Sequence, residues 1–373
     1  PLHVGHGRGA AVGDALARLL ALTGAEVSRE YYVNDVGTQI ETLGKSVLMR
    51  AQERSSGGEG QNAPLPEGLY QGQYISEIAV AFAESKPATT LESGQAKVLA
   101  AGCFAKDVIL QEIREDLRQF NVSFDEIFEE HILHDDGVVQ DALNALRTKE
   151  YVYTLEDADW LETSRWGDDK DRVVKRANGQ YTYFASDIAY HAHKFNRGFQ
   201  RLINVWGADH HGYVPRMKAM IHALGYPEDS FQVSLVQLVN LVRSGKPIAM
   251  STRAGEFVAL REVMDEVGVD AARFFFLMRR SDTPLDFDLD LAKRKSNENP
   301  VFYVQYAHAR IASLFKMARE QGVNRPAVSE VILTELGLPE ELALIKKLAE
   351  YPEIIDESAR CLESHRVAYY LQD

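Results

Sequence analysis

Two imidazoles stand either side of a glycine at the start of the chain, in His3-Val4-Gly5-His6, and a Gly/Ala-rich amphipathic run, Gly7 to Leu20, follows. A turn entering a helix at this point would suit a nucleotide triphosphate. The glycine lets backbone approach a ligand closely. A helix N-terminus offers unpaired N–H groups and partial positive charge to phosphates. Histidine N–H groups can donate to oxygens that gain charge during transfer. Further along, Trp206-Gly207-Ala208-Asp209 ends an apolar run. A carboxylate just beyond a strand, such as Asp209, is placed to face ribose hydroxyls, or else to cap a helix. Tyr183 and Asp187 are four residues apart, so on a helix they share a face.

These residues need elements to hold them. Residues 26–33 read as a strand after the first helix, giving a β-α-β start. Residues 55–68 read as a loop, and 70–85 and 95–120 show helical apolar spacing, with Ile109, Ile113, Leu117 and Phe120 on one face. Residues 138–155 mix a short helix with a Tyr-Val-Tyr run. Asn178-Gly179 between β-rich runs predicts a hairpin. Residues 201–206 read as a buried strand ending at Gly207, and 213–224 as a helix with proline in its first turn. From Asn299 the pattern is helical to the end, with Pro326, Pro339 and Pro352 as breakers. The expected fold class is α/β: a doubly wound, parallel-sheet, Rossmann-like domain with a helical insertion, then an all-α bundle. The expected parts are 1–54 and 138–298 for the two halves of the nucleotide domain, 55–137 for the insertion, and 299–373 for the helical domain.

A length of 373 residues calls for two or three domains. Two cysteines, Cys103 and Cys361, argue against a disulfide framework and against a cysteine-based zinc site, and fit a cytoplasmic setting. No apolar run is long enough for a membrane span. The net charge of −14 is concentrated: residues 55–170 hold 9 Lys/Arg and 23 Asp/Glu, and the remainder balances at 32 of each. A basic face elsewhere is therefore not excluded. The chain begins at Pro1, inside a motif, and is expected to be a fragment.

HVGH resembles the HIGH signature of class I aminoacyl-tRNA synthetases. Residues 245–255, GKPIAMSTRAG, resemble their mobile KMSKR loop. HVGHGRGAAVGDALARLL (3–20), YYVNDVGTQ (31–39), TYFASDIAYH (182–191), VWGADHHGYVPR (205–216), MSTRAGEFV (250–258) and NPVFYVQYAHARI (299–311) together resemble arginyl-tRNA synthetase. The resemblance implies ATP-dependent formation of arginyl-adenylate and transfer of arginine to the 3′ end of tRNA(Arg). It implies ATP as substrate, with Mg²⁺ bound to it and no zinc. The implied partners are arginine, ATP and tRNA(Arg), without a membrane, and the expected state is a monomer.

On the family's pattern, His3 and His6 would contact the triphosphate, Gly5 would admit the adenine, and Gly207 and Asp209 would face the ribose. Met250, Ser251 and Arg253 would act in the loop, with Lys246 just upstream. Tyr183, Asp187 and His210 would contact the arginine, and Asn34 to Gln39 would lie near that pocket or the tRNA end. Arg310 would reach tRNA, whereas Tyr303 and Tyr306 are expected to pack. The loop departs from the pattern, because Ala249 and Thr252 stand where the family carries lysines. Upstream acid and Asn residues of the family's pocket would precede Pro1, and the family's bundle continues beyond the equivalent of Asp373. Two other readings stay open: another HxGH nucleotidyltransferase, and a non-catalytic synthetase-like module that binds tRNA.

Overall fold

The computed structural model describes residues 1–55, 64–85, 94–248, 258–323, 327 and 333–373. Helix α1, Val4–Leu22, begins at His3 and ends at Thr23. Its alanines and glycines keep its faces narrow, and Val4, Gly7, Ala11, Val12, Leu16 and Leu19 are buried. Strand β1, Glu30–Val33, follows, shorter than the 26–33 run suggests. Helices α2 (Thr38–Ser55), α3 (Gln73–Ala83) and α4 (Gln95–Gln119) then form a helical body around Leu43, Val47, Ile75, Ile78, Phe82, Ala101 and Ala105. The helical reading of 70–85 and 95–120 agrees, although the body also takes in α2, from before the expected insertion.

Strand β2, Glu126–Glu129, lies within the 55–137 span read as insertion, yet it pairs in parallel with β1, Glu30 opposite Glu126. The helical body therefore stops short of it. Two helices, α5 (His131–Asp135) and α6 (Val138–Thr148), lead to an antiparallel meander of β3 (Val152–Leu155), β4 (Ala158–Leu161) and β5 (Arg172–Lys175). The Asn178-Gly179 turn forms, with Gly179 at φ +83° and Asn178 Oδ1 accepting from the Gln180 N–H at 3.1 Å. Its return arm is a single bridge, Lys175 to Tyr181. Thr182 turns its hydroxyl back onto the Val173 carbonyl (2.9 Å), and the chain enters helix α7, Tyr183–Asn196.

Strand β6, Leu202–Gly207, and β7, Phe231–Val236, form a second parallel pair, joined through helix α8, Val214–Leu224. The expected burial of β6 holds only at Leu202; the rest is half-buried and Gly207 exposed, because its C-terminal end opens onto the site. Strand β8 (Val239–Arg243) pairs antiparallel with β9 (Lys246–Pro247) and in parallel with β10, Leu285–Asp288. Helices α9 (Leu260–Val267) and α10 (Val269–Leu277) come between them, and α11, Leu289–Lys293, follows β10. Parallel pairs need such helical crossovers, and together they make the expected Rossmann-like α/β architecture.

Asn299 caps helix α12, Pro300–Glu320, by accepting from the Val301 N–H at 3.0 Å. Helix α13 is Pro339–Cys361 and α14 is His365–Gln372. Pro339, read as a breaker, stands at the first position of α13, and Pro352 does not break a helix, lying exposed inside α13. Pro326 is outside the described residues. Leu19 of α1 packs on Ile355 and Ala359 of α13, which seats the helical domain on the nucleotide domain. Among the described residues no helix is long and apolar enough to cross a membrane.

Candidate active site

His3 is the N-cap of α1. Its Nδ1 accepts from the Gly5 N–H (3.1 Å) and the His6 N–H (3.3 Å), and His6 Nδ1 accepts in return from the His3 N–H (3.3 Å). The rings stack with centroids 3.5 Å apart. Accepting at Nδ1 fixes both rings as the tautomer with hydrogen on Nε2. Desolvation lowers both pKa values, and the neighbouring His3 ring helps push His6 down to about 4, so both are neutral near pH 7. A Cβ on Gly5 would stand 2.9 Å from His3 Cε1, so only glycine leaves this histidine cap undisturbed.

Asp209 also acts on the His6 ring, raising its pKa. It lies in a 3₁₀ turn, Ala208–Tyr213, directly after β6, and caps nothing there. A Cβ on Gly207 would sit 2.4 Å from Asp209 Oδ1, so the carboxylate folds over a bare backbone. The structure thus brings His3, His6, Gly207 and Asp209 to one end of the parallel strands, where α/β sheets bind nucleotides.

Residues 258–260 belong to the same place. Val4 N–H donates to the Val258 carbonyl (3.2 Å), Leu260 N–H donates to Leu2 (2.9 Å), and His3 bridges Ala259. On the other side Ile248 N–H donates to Leu241 on β8 (2.8 Å), just after exposed Lys246. Met250, Ser251 and Arg253 lie between these anchors, outside the described residues.

A second group is joined to it through the Ala208–Tyr213 turn. Asp187 is half-buried on α7 and accepts from Tyr213 Oη at 2.7 Å. Burial pushes its carboxyl up to about 6, despite the Tyr213 hydrogen bond. It is therefore ionised at neutral pH, with its charge desolvated and suited to a cation. His210 is exposed, 3.7 Å from Asp209 and 6.1 Å from the Trp206 ring. Tyr183 is 52% exposed at the start of α7, so it is not a core aromatic. Sequence reasoning missed Tyr213, which sat inside the quoted VWGADHHGYVPR block but was read only as the start of a helix. Glu130 and Tyr32 also face Asp187.

Asp35, after β1, meets His131, whose backbone N–H donates to Oδ1 (2.9 Å) and whose Nδ1 lies 2.7 Å from Oδ2. Asp35, Glu129 and His131 are the group among the described residues that could hold a metal ion. Lys106 Nζ already donates to Glu129 at 2.6 Å and lies 3.6 Å from Asp35. With an ammonium supplying the counter-charge, the group does not fit a resident cation.

Arg310 is exposed on α12, donating to Tyr306 Oη at 3.2 Å. The expected packing of Tyr303 and Tyr306 is not found: they are 42% and 47% exposed. The contact with the nucleotide domain is instead made by Val301, buried in its core, and by Gln305, which donates to Asp270 (3.0 Å).

Two family matches cover the chain. The family described as tRNA synthetases class I (R), catalytic domain, matches residues 1–282, and the DALR anticodon binding domain matches 304–373. A curated arginine–tRNA ligase of Desulfosudis oleivorans is 56% identical over all of this chain, which spans 67% of that relative; one of Geobacter sp. is 54% identical with the same coverage. A Campylobacter jejuni structure solved under the name arginyl-tRNA synthetase superposes with a TM-score of 0.88 at 35% identity, over 100% of this chain and 80% of that one. The Thermus thermophilus arginyl-tRNA synthetase shares the fold, with a TM-score of 0.71 at 22% identity. With both domains matched and a curated relative 56% identical over the whole chain, the chain belongs to the arginyl-tRNA synthetase family.

Proposed function

We propose that this chain is an arginine–tRNA ligase, activating arginine with ATP and passing it to the 3′ end of tRNA(Arg). The observation that carries the reading is the single turn Ala208–Tyr213, which carries Asp209, whose charge acts on His6, and Tyr213, which donates to the half-buried Asp187. The arginine carboxylate attacks the α-phosphate, and pyrophosphate leaves. No protein nucleophile is needed, so catalysis is positioning and charge stabilisation.

In this reading His3 and His6 donate Nε2–H to phosphate oxygens, and their neutral state lets them give a hydrogen bond without fixing a charge. Gly5 admits the adenine, and Gly207 and Asp209 hold the ribose. Asp187 pairs with the substrate guanidinium, with Tyr183 and His210 at the rim of the pocket. Lys246, Met250, Ser251 and Arg253 close on the phosphates, Lys246 and Arg253 supplying the charge that the family draws from lysines at positions 249 and 252. Mg²⁺ enters with the triphosphate. Arg310 meets the tRNA backbone, which would make affinity salt-dependent. We place the protein in the cytoplasm, where tRNA is charged, and as a monomer.

Amino-acid-dependent ATP–pyrophosphate exchange, screened over all amino acids with and without tRNA, tests the reading. Exchange for arginine alone supports it. Exchange driven by another amino acid overturns the assignment of Asp187. No exchange with tRNA still bound favours the non-catalytic module, a reading that the lysine-poor loop keeps open.

A further inference from the structure

Tyr213 ends the same short turn that begins beside Asp209, and it makes the hydrogen bond to Asp187. Its ring is held on three sides. Trp206 packs edge-on at 6.1 Å, Phe184 at 6.3 Å, and the Arg216 guanidinium stands over the face, 4.5 Å from the centroid. A phenol held in this way has little freedom to swing, so its hydroxyl defines where Asp187 Oδ2 must lie.

A carboxylate that receives a guanidinium must present a defined edge, since the fork is planar. With one acceptor site of Oδ2 taken by Tyr213, Oδ1 and the remaining site of Oδ2 form the edge offered to the ligand. We propose that Tyr213 is a positioning residue for arginine: it acts through Asp187, fixing which edge of the carboxylate faces the guanidinium. The proposal rests on Asp187 being the guanidinium partner.

The other charged groups facing Asp187 do not replace this role. Glu130 repels its charge, while Arg216 and Lys194 attract it, and Lys194 is already paired with Glu30 at 3.6 Å. Tyr32 faces it across the site, and His191 contacts only its backbone carbonyl, at 2.8 Å. Tyr213 gives Asp187 its hydrogen bond from a neutral donor, and such a bond favours the ionised form.

The experiment is arginine binding by titration calorimetry between pH 5.5 and 8, for the wild type, Tyr213→Phe and Asp187→Asn. Phe keeps the ring packing, and retention of the fold is checked by thermal melting. Tyr213→Phe is expected to weaken arginine binding about ten-fold at pH 6.5 and less at pH 8, with the binding midpoint moved to higher pH and the KM for ATP unchanged. A purely structural tyrosine would not move that midpoint. Wild-type affinity and midpoint in Tyr213→Phe, alongside poor binding by Asp187→Asn, would overturn the positioning role alone. Wild-type binding by Asp187→Asn would overturn the underlying reading of the site.

Discussion

The Val4 N–H donates to the Val258 carbonyl at 3.2 Å, tying the first turn of α1 to the residue that follows MSTRAGEF. The two signature segments are about 250 residues apart in sequence, yet one main-chain bond joins them.

The His3–His6 pair has two roles that substitution can separate. His3→Ala removes both the N-cap and the phosphate donor. His3→Asn restores a capping side chain, so its melting temperature should stay within a few degrees of wild type. Its arginine-dependent exchange should still fall by roughly 100- to 1000-fold, the usual loss for one transition-state donor. Exchange at the wild-type rate in His3→Asn would limit His3 to capping.

Arginine affinity should depend on pH through Asp187, whose carboxyl is raised to about 6. Only the ionised form pairs with a guanidinium, so affinity should rise as pH climbs from 5 to 7 and then level off. For the folded protein without ligand the sign is opposite. A raised carboxyl pKa disfavours the folded state once ionised, so this group's contribution to stability falls between about pH 4 and 6. Calorimetric titrations and denaturant midpoints across this range read the two effects, and a flat binding profile would contradict the assignment.

Arg8 is fully buried just after the signature. Its guanidinium donates to the carbonyls of Gln237 (2.9 Å), Thr283 (2.8 Å) and Arg280 (2.9 Å), pinning the loops after β7 and before β10 to α1. Burial lowers its pKa to about 10, which still leaves it charged. Arg8→Met should leave three carbonyls without this donor and cost about 3 kcal/mol or more in urea unfolding. A loss below about 1 kcal/mol would show that water or repacking replaces the clamp.

The helical body depends on two contacts at glycine. A Cβ on Gly44 would lie 2.0 Å from the Val98 carbonyl oxygen, and one on Gly102 would lie 2.3 Å from that of Ile40. Neither oxygen can move without shifting a helix. Gly102→Ala should force α2 and α4 apart and cost about 1–3 kcal/mol. Protease sensitivity confined to residues 38–119 is the readout, and unchanged digestion would contradict it.

Much of this site was legible because its groups come in short local blocks. His3 and His6 sit in one helical turn, and Gly207 and Asp209 flank one strand end, so each pair is close in space as it is in sequence. Tyr213 was not, since its partner Asp187 is 26 residues away on another helix and a tyrosine at a helix start is usually packing. Strand β2 was hidden for a related reason. Glu126-Ile-Phe-Glu carries acid at both ends, and only its parallel register with β1 makes it a strand. The exposure of Tyr303 and Tyr306 escaped the periodicity because helical spacing reports a face, not what covers it.

The most direct measurement is the rate of arginine-driven ATP–pyrophosphate exchange in Asp187→Asn beside wild type, with the KM values for arginine and ATP determined separately. The account predicts a loss of at least about 100-fold in kcat/KM for arginine, from removing a desolvated charge partner, with the KM for ATP unchanged. Exchange in Asp187→Asn with the wild-type KM for arginine would contradict it.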